Sequence, residues 1–68
     1  MEYTINGYVA RDKNGNLYIY DKLPKRDRNS GYWMVNDPFD KFSLLPKEWF
    51  PEITWSSEPL LVDVTFNS

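Results

Sequence analysis

The segment DKNGN carries Asp12, Asn14 and Asn16 at alternate positions, the oxygen-ligand spacing with which a calcium loop opens. The rest of such a loop is missing. Gly15 stands fourth rather than sixth, and Leu23 occupies the twelfth position where a bidentate Glu belongs. DKNGN is therefore a turn signal. Two further carboxylate pairs, Asp37/Asp40 and Glu52/Glu58, have the residue types for acid–base chemistry. Asp37 and Asp40 sit in NDPFD and Glu58 in SSEP, the compositions that turns use, and Glu52 follows Pro51. A glycosidase built on two carboxylates also needs walls around its sugar, and 68 residues supply little wall.

The other catalytic side chains are absent. There is no His and no Cys, so neither the commonest general base nor the best nucleophile is present. A tetrahedral zinc site would have to be built from carboxylates alone. The three glycines are scattered, which leaves no phosphate-binding loop. The expectation is a protein that is not an enzyme, with no catalytic residue, no metal and no cofactor.

Binding chemistry is better represented. Twelve of the 68 residues are Phe, Trp or Tyr. The segment KLPKRDR concentrates Lys22, Lys25, Arg26 and Arg28, diluted by Asp27. It belongs to an uneven distribution: residues 1–36 carry a net charge of +2 and residues 37–68 a net charge of −4. A solvated loop accounts for such a run without any ligand.

The elements that would position these groups follow from periodicity. In YTINGYVARDKNGNLYIYD, apolar and aromatic residues flank the turn, and Gly15 suits a left-handed position closing a type I turn with a bulge. With Lys13–Gly15 as the loop, Arg11 faces Leu17, Ala10 faces Tyr18, Val9 faces Ile19 and Tyr8 faces Tyr20. Alternation then puts Ile5, Val9, Arg11, Leu17 and Ile19 on one face, and Tyr8, Ala10, Tyr18 and Tyr20 on the other.

LPKRDRNSG reads as a loop, Tyr32–Asn36 as a strand, and Lys41–Leu45 as another. Pro46 and Pro51 leave room for about one helical turn between them. One turn has no stability of its own, so residues 44–59 are expected to lie as a lid. That lid would bury Leu45, Trp49, Phe50, Ile53 and Trp55 over an open side of the sheet. LLVDVTF alternates, with Leu60, Val62, Val64 and Phe66 inward. The expected fold is a single domain over 1–68, mainly β. It is a twisted antiparallel sheet of four to five strands, able to curl into a partly open barrel, with one short helical turn near 46–50. A small α+β sheet is the alternative.

Two segments, ARDKNGNL (Ala10–Leu17) and FPEITWSSEP (Phe50–Pro59), resemble the ARDKxGxL and FPxxxWxxEP motifs of a group of small uncharacterised bacterial proteins of gut anaerobes and their mobile elements. The resemblance implies an accessory role on a mobile element and brings no activity or functional residue with it.

No apolar run approaches the roughly 20 residues that span a membrane, and the N-terminus lacks a signal-peptide pattern. A soluble cytoplasmic protein is expected. Two binding functions fit the inventory. One is a protein-interaction module, for a protein partner or self-association, using Tyr8, Tyr18 and Tyr20 as a contact surface. The other is single-stranded nucleic-acid binding on those rings, with Arg11 and the basic loop of Lys22, Lys25, Arg26 and Arg28 supplying charge. The net charge of −2 favours the first.

Overall fold

The computed structural model describes residues 1–67. Among the described residues six strands form, β1 (Glu2–Arg11), β2 (Leu17–Tyr20), β3 (Lys25–Asp27), β4 (Tyr32–Met34), β5 (Phe42–Leu45) and β6 (Leu60–Asn67). Four make an open antiparallel sheet in the order β5-β2-β1-β6, and β3 and β4 make a separate two-stranded ribbon. The fold is mainly β, as the alternation requires. Because the sheet ends on β5 and β6, it does not close into a barrel.

The first hairpin has the register that its turn dictates: Tyr8 opposite Tyr20, Val9 opposite Ile19, Ala10 opposite Tyr18, Arg11 opposite Leu17. The Asp12 N–H donates to the Asn16 carbonyl at 2.8 Å, and the Gly15 N–H to the Asp12 carbonyl at 2.9 Å. Gly15 has φ +99°, where a side chain would be strained. Gly7 is needed for a different reason. A Cβ there would lie 2.6 Å from the Tyr20 carbonyl oxygen and 2.9 Å from Ile19 Cγ1.

Alternation gives the sheet two apolar faces. On the first, Val9, Leu17, Ile19, Leu45, Ile53 and Val64 form a buried cluster, flanked by Ile5, Phe50, Val62 and Phe66. On the second, Ala10, Tyr20 and Trp33 are buried, flanked by Tyr18, Val35 and Trp55. The crossover from 46 to 59 covers the first face through Phe50 and Ile53, and the β3-β4 ribbon covers part of the second.

Several expectations change. Residues 23–31 are not all loop, because β3 pairs with β4, Arg26 opposite Trp33. Among the described residues there is no helix. Residues 46–49 make one turn, closed by the Trp49 N–H to the Pro46 carbonyl at 3.1 Å. Phe50, held out of helical geometry by Pro51, takes φ +50° and reverses the chain. Two lid residues also depart from the expected cover. Trp49 stays 36% exposed and stacks on Phe66 at 6.2 Å. Trp55 reaches the second face, edge-on to Trp33 at 5.8 Å. Leu60, expected inward, is exposed.

Arg11 holds the lid down. Its Nε donates to the Ile53 carbonyl at 2.6 Å. Its two terminal nitrogens donate to the carbonyls of Gly15 (2.8 Å), Lys47 (3.0 Å), Trp49 (2.8 Å) and Phe50 (3.2 Å). A fork of N–H donors suits a bent backbone whose carbonyls point inward without strand partners. The same contacts join the ARDKNGNL segment to FPEITWSSEP.

Candidate functional site

The second face is only partly covered, and an open groove of about 250 Å³ remains between the main sheet and the ribbon. Asp12, Tyr20 and Trp33 are its buried members, and Tyr18, Tyr32, Met34, Val35 and Phe42 line the rest. The register explains the composition. β5 pairs with β2 so that Phe42 lies opposite Tyr20 and Leu44 opposite Tyr18, which puts both on the tyrosine face. Phe42 packs against Tyr18 and Tyr20 with ring centroids 5.8 Å from each. Phe42 is 55% exposed and Leu44 63% exposed, and Tyr32 and Met34 are exposed on the opposite wall.

The three tyrosines therefore differ. Tyr20 is 3% exposed and belongs to the core, which corrects its assignment to a contact surface. The cause is the ribbon: Trp33 closes over it. Tyr18 is half-buried and lines the groove, whereas Tyr8 is half-buried on the same face outside it. Burial pushes the Tyr20 phenol well above its ordinary range, and the nearby Asp12 carboxylate and Tyr18 add to the effect.

Among the described residues Asp12 is the one buried acid side chain, 4% exposed. Its Oδ1 accepts the Trp33 N–H at 2.9 Å, while the Trp33 Nε1–H donates to the Arg11 carbonyl at 2.9 Å. Burial raises the Asp12 carboxyl above its ordinary value, and the bond from Trp33 offsets part of the rise. The Lys13 N–H donates to the Gly31 carbonyl at 2.9 Å. These three bonds fasten the ribbon to the hairpin. Asn14 Oδ1 accepts the Asn16 N–H at 3.0 Å, so the calcium-like spacing serves the turn.

The cations divide as well. Lys22, Lys25 and Arg28 are exposed. Arg26 is spent on structure. Its guanidinium lies 4.7 Å from the Trp33 ring centroid and 5.5 Å from that of Trp55, and it donates to the Ser57 carbonyl at 2.9 Å. Glu58 stands 3.7 Å from Arg26 and is itself exposed. Asp37 caps its own turn by accepting the Phe39 N–H at 2.9 Å, while the Asp40 N–H donates to the Asp37 carbonyl. Among the described residues no three His, Cys, Asp or Glu side chains converge as a metal-binding group, and no helix is long and apolar enough to cross a membrane.

The exposed rim of Phe42, Leu44, Tyr32 and Met34 was not singled out from the sequence. Its signal was the alternation within KFSLL, where Phe42 and Leu44 share one face once β5 is paired to β2. That pairing is non-local and has no turn to announce it. No protein-family model, curated sequence or solved structure matches this chain, and the groove is understood from its own residues.

Proposed function

We propose that this protein is a small non-catalytic interaction module that takes an apolar side chain of a protein partner into the aromatic groove. One observation carries this: exposed Phe42 on β5 and exposed Tyr32 and Met34 on β4 line a preformed hollow, and exposed Leu44 shares the face of Phe42 on β5. Burying aromatic and methionine side chains is the usual source of energy at the centre of a protein interface. An accessory role on a mobile element is compatible with such a module.

Single-stranded nucleic acid on the same rings has less support. Arg11 and Arg26 are already committed to carbonyls and tryptophans, and the buried Asp12 carboxylate adds negative charge beneath the rings.

The experiment is the double substitution Phe42→Ser, Leu44→Ser, at two residues that are more than half exposed. Circular dichroism is expected to match the unsubstituted chain, and pull-down of a protein partner from nuclease-treated lysate is expected to be lost. Retained capture would exclude the groove. Capture that disappears on nuclease treatment alone would favour nucleic acid.

A further inference from the structure

β1 is longer than the strand beside it. It pairs with β6 from Glu2 to Val9, but with β2 only from Tyr8 to Arg11. Residues 2–7 therefore have a partner on one side and an open edge on the other. The hydrogen-bonded pair Asp12/Asn16 sets the alternation, so even-numbered residues of β1 direct N–H and C=O toward the β2 side. Glu2, Thr4 and Asn6 thus present their backbone groups at the open edge. Beside it lies a second hollow of about 250 Å³, whose lining includes Ile5, Ile19 and Phe42. It marks the place where β2, had it continued past Tyr20, would have run. The strand segment 2–7 itself carries neither Lys nor Pro, and the charges beside it, Asp21 and Lys41, stand on the far wall of the hollow.

We propose that the open edge of β1 pairs with the same edge of a second copy of this chain, antiparallel about a two-fold axis through Thr4. The pattern EYTIN is suited to pairing with itself. The axis places Thr4 opposite Thr4, a hydroxyl pair of the kind that Thr4 already makes with Thr65 at 3.0 Å. Tyr3 of each copy falls opposite Ile5 of the other, an aromatic and β-branched pair on the apolar face. Glu2 falls opposite Asn6, so no like charges meet. Tyr3 is 51% exposed in the single chain and stacks on Phe66 at 5.3 Å, so an apolar row already leads up to the edge. The isologous contact closes on itself, with β1 of one copy entering the line that β2 leaves empty in the other.

The remaining long edge is the outer side of β6, and it fits less well. Its outward-directed residues are Leu61, Asp63, Thr65 and Asn67, opposite the even residues of β1. A two-fold pairing about the middle of β6 would set Asp63 against Asp63.

Two proline substitutions separate the edges. Thr4 and Thr65 are opposite one another in β1 and β6, and each directs its N–H away from the other strand. Thr4→Pro removes a donor from the proposed interface, and Thr65→Pro removes one from the other edge. A proline is tolerated on an edge strand when its missing N–H faces outward. Sedimentation over a concentration series is expected to give a monomer–dimer equilibrium for the unsubstituted chain and for Thr65→Pro, and a monomer throughout for Thr4→Pro. Thr4→Lys, which sets two ammonium groups together only in the dimer, decides the case if Thr4→Pro fails to fold. Amide exchange at Thr4 and Asn6 is expected to slow with rising protein concentration. An unsubstituted chain that stays monomeric up to its solubility limit would overturn the proposal. So would dimers of Thr4→Lys, or dimers lost only in Thr65→Pro.

Discussion

On one face of the sheet Val9 and Leu17 are sealed from solvent at 0% exposure; on the other, Phe42 is more than half open above Tyr20. Each face is covered by a segment that an arginine fastens, and the two arginines work differently. Arg11 reaches five carbonyls of bent chain and pulls the crossover flat against the aliphatic core. Arg26 lies over two indole rings, with one carbonyl partner, and its buried Nε has none. A crossover without strand pairing can follow the surface beneath it, and it seals the part around Val9 and Leu17, leaving a hollow only farther along, beside Ile5 and Ile19. A two-stranded ribbon keeps its own pairing and spans only part of a face, so an opening remains beside it. The aliphatic centre of the first face serves stability, and the second face supplies the aromatic groove.

The largest effect is expected from Arg11→Met, which keeps the aliphatic stem and deletes the donors. Hydrogen bonds from a charged group contribute about 1.5–3 kcal/mol each and do not add when shared by one side chain, so a loss of about 3 kcal/mol or more is expected. For so small a domain that is a large part of its stability. Urea denaturation would measure it. A loss below about 1 kcal/mol would mean that water replaces Arg11 without cost, and that apolar packing alone holds the crossover.

Arg26→Met is the matched substitution on the other face, and it is expected to cost less, about 1–2 kcal/mol. Cation–π contacts are worth about 0.5–2 kcal/mol depending on desolvation. The pair with exposed Glu58, at 3.7 Å, adds little. Relief of the unpartnered Nε works in the opposite direction. If Arg26→Met proves as damaging as Arg11→Met, the ribbon is as essential to folding as the crossover, and the two faces are not distinguished by their clamps.

Legibility in the sequence followed the same division. The hairpin of β1 and β2 was readable to the residue, because its turn fixes the register and its side chains sort by face. Phe50 and Ile53 were readable as cover for the aliphatic side, since a proline-bounded aromatic segment must bury its rings to persist; Leu45 is buried there too, but as part of β5 in the sheet and not of the lid. The short β3 was hidden by charge: KRD has no alternation, and it is a strand only because Trp33 lies opposite Arg26 and the two stack. Tyr20 was misplaced for a related reason. A tyrosine on the second face is surface or core according to whether something covers it, and the cover arrives from β4, twelve residues further along the chain than β2. Arg11 sat in a position read as charge for a ligand, and nothing local announces the carbonyls it satisfies.

The smallest effect on the fold, and the sharpest test of how the ribbon is fastened, is expected at Asp12. Its carboxyl lies above the ordinary value of 3.8 because burial disfavours the charge more than the Trp33 N–H favours it. With the folded value above the unfolded one, the folded state binds more protons between the two. Stability therefore falls as pH rises through that window, which begins near 3.8. Once the carboxyl is ionised its charge opposes folding, whereas the bond from Trp33 supports it. Asp12→Asn keeps a carbonyl oxygen for the Trp33 N–H and deletes the charge. Stability at neutral pH is expected to be unchanged or higher, and the fall with pH contributed by this group is expected to vanish. Denaturation midpoints across an acid-to-neutral pH series would decide it. A variant clearly weaker than the unsubstituted chain at neutral pH would show that the ribbon is held by the charge on Asp12 and not by its hydrogen bond alone.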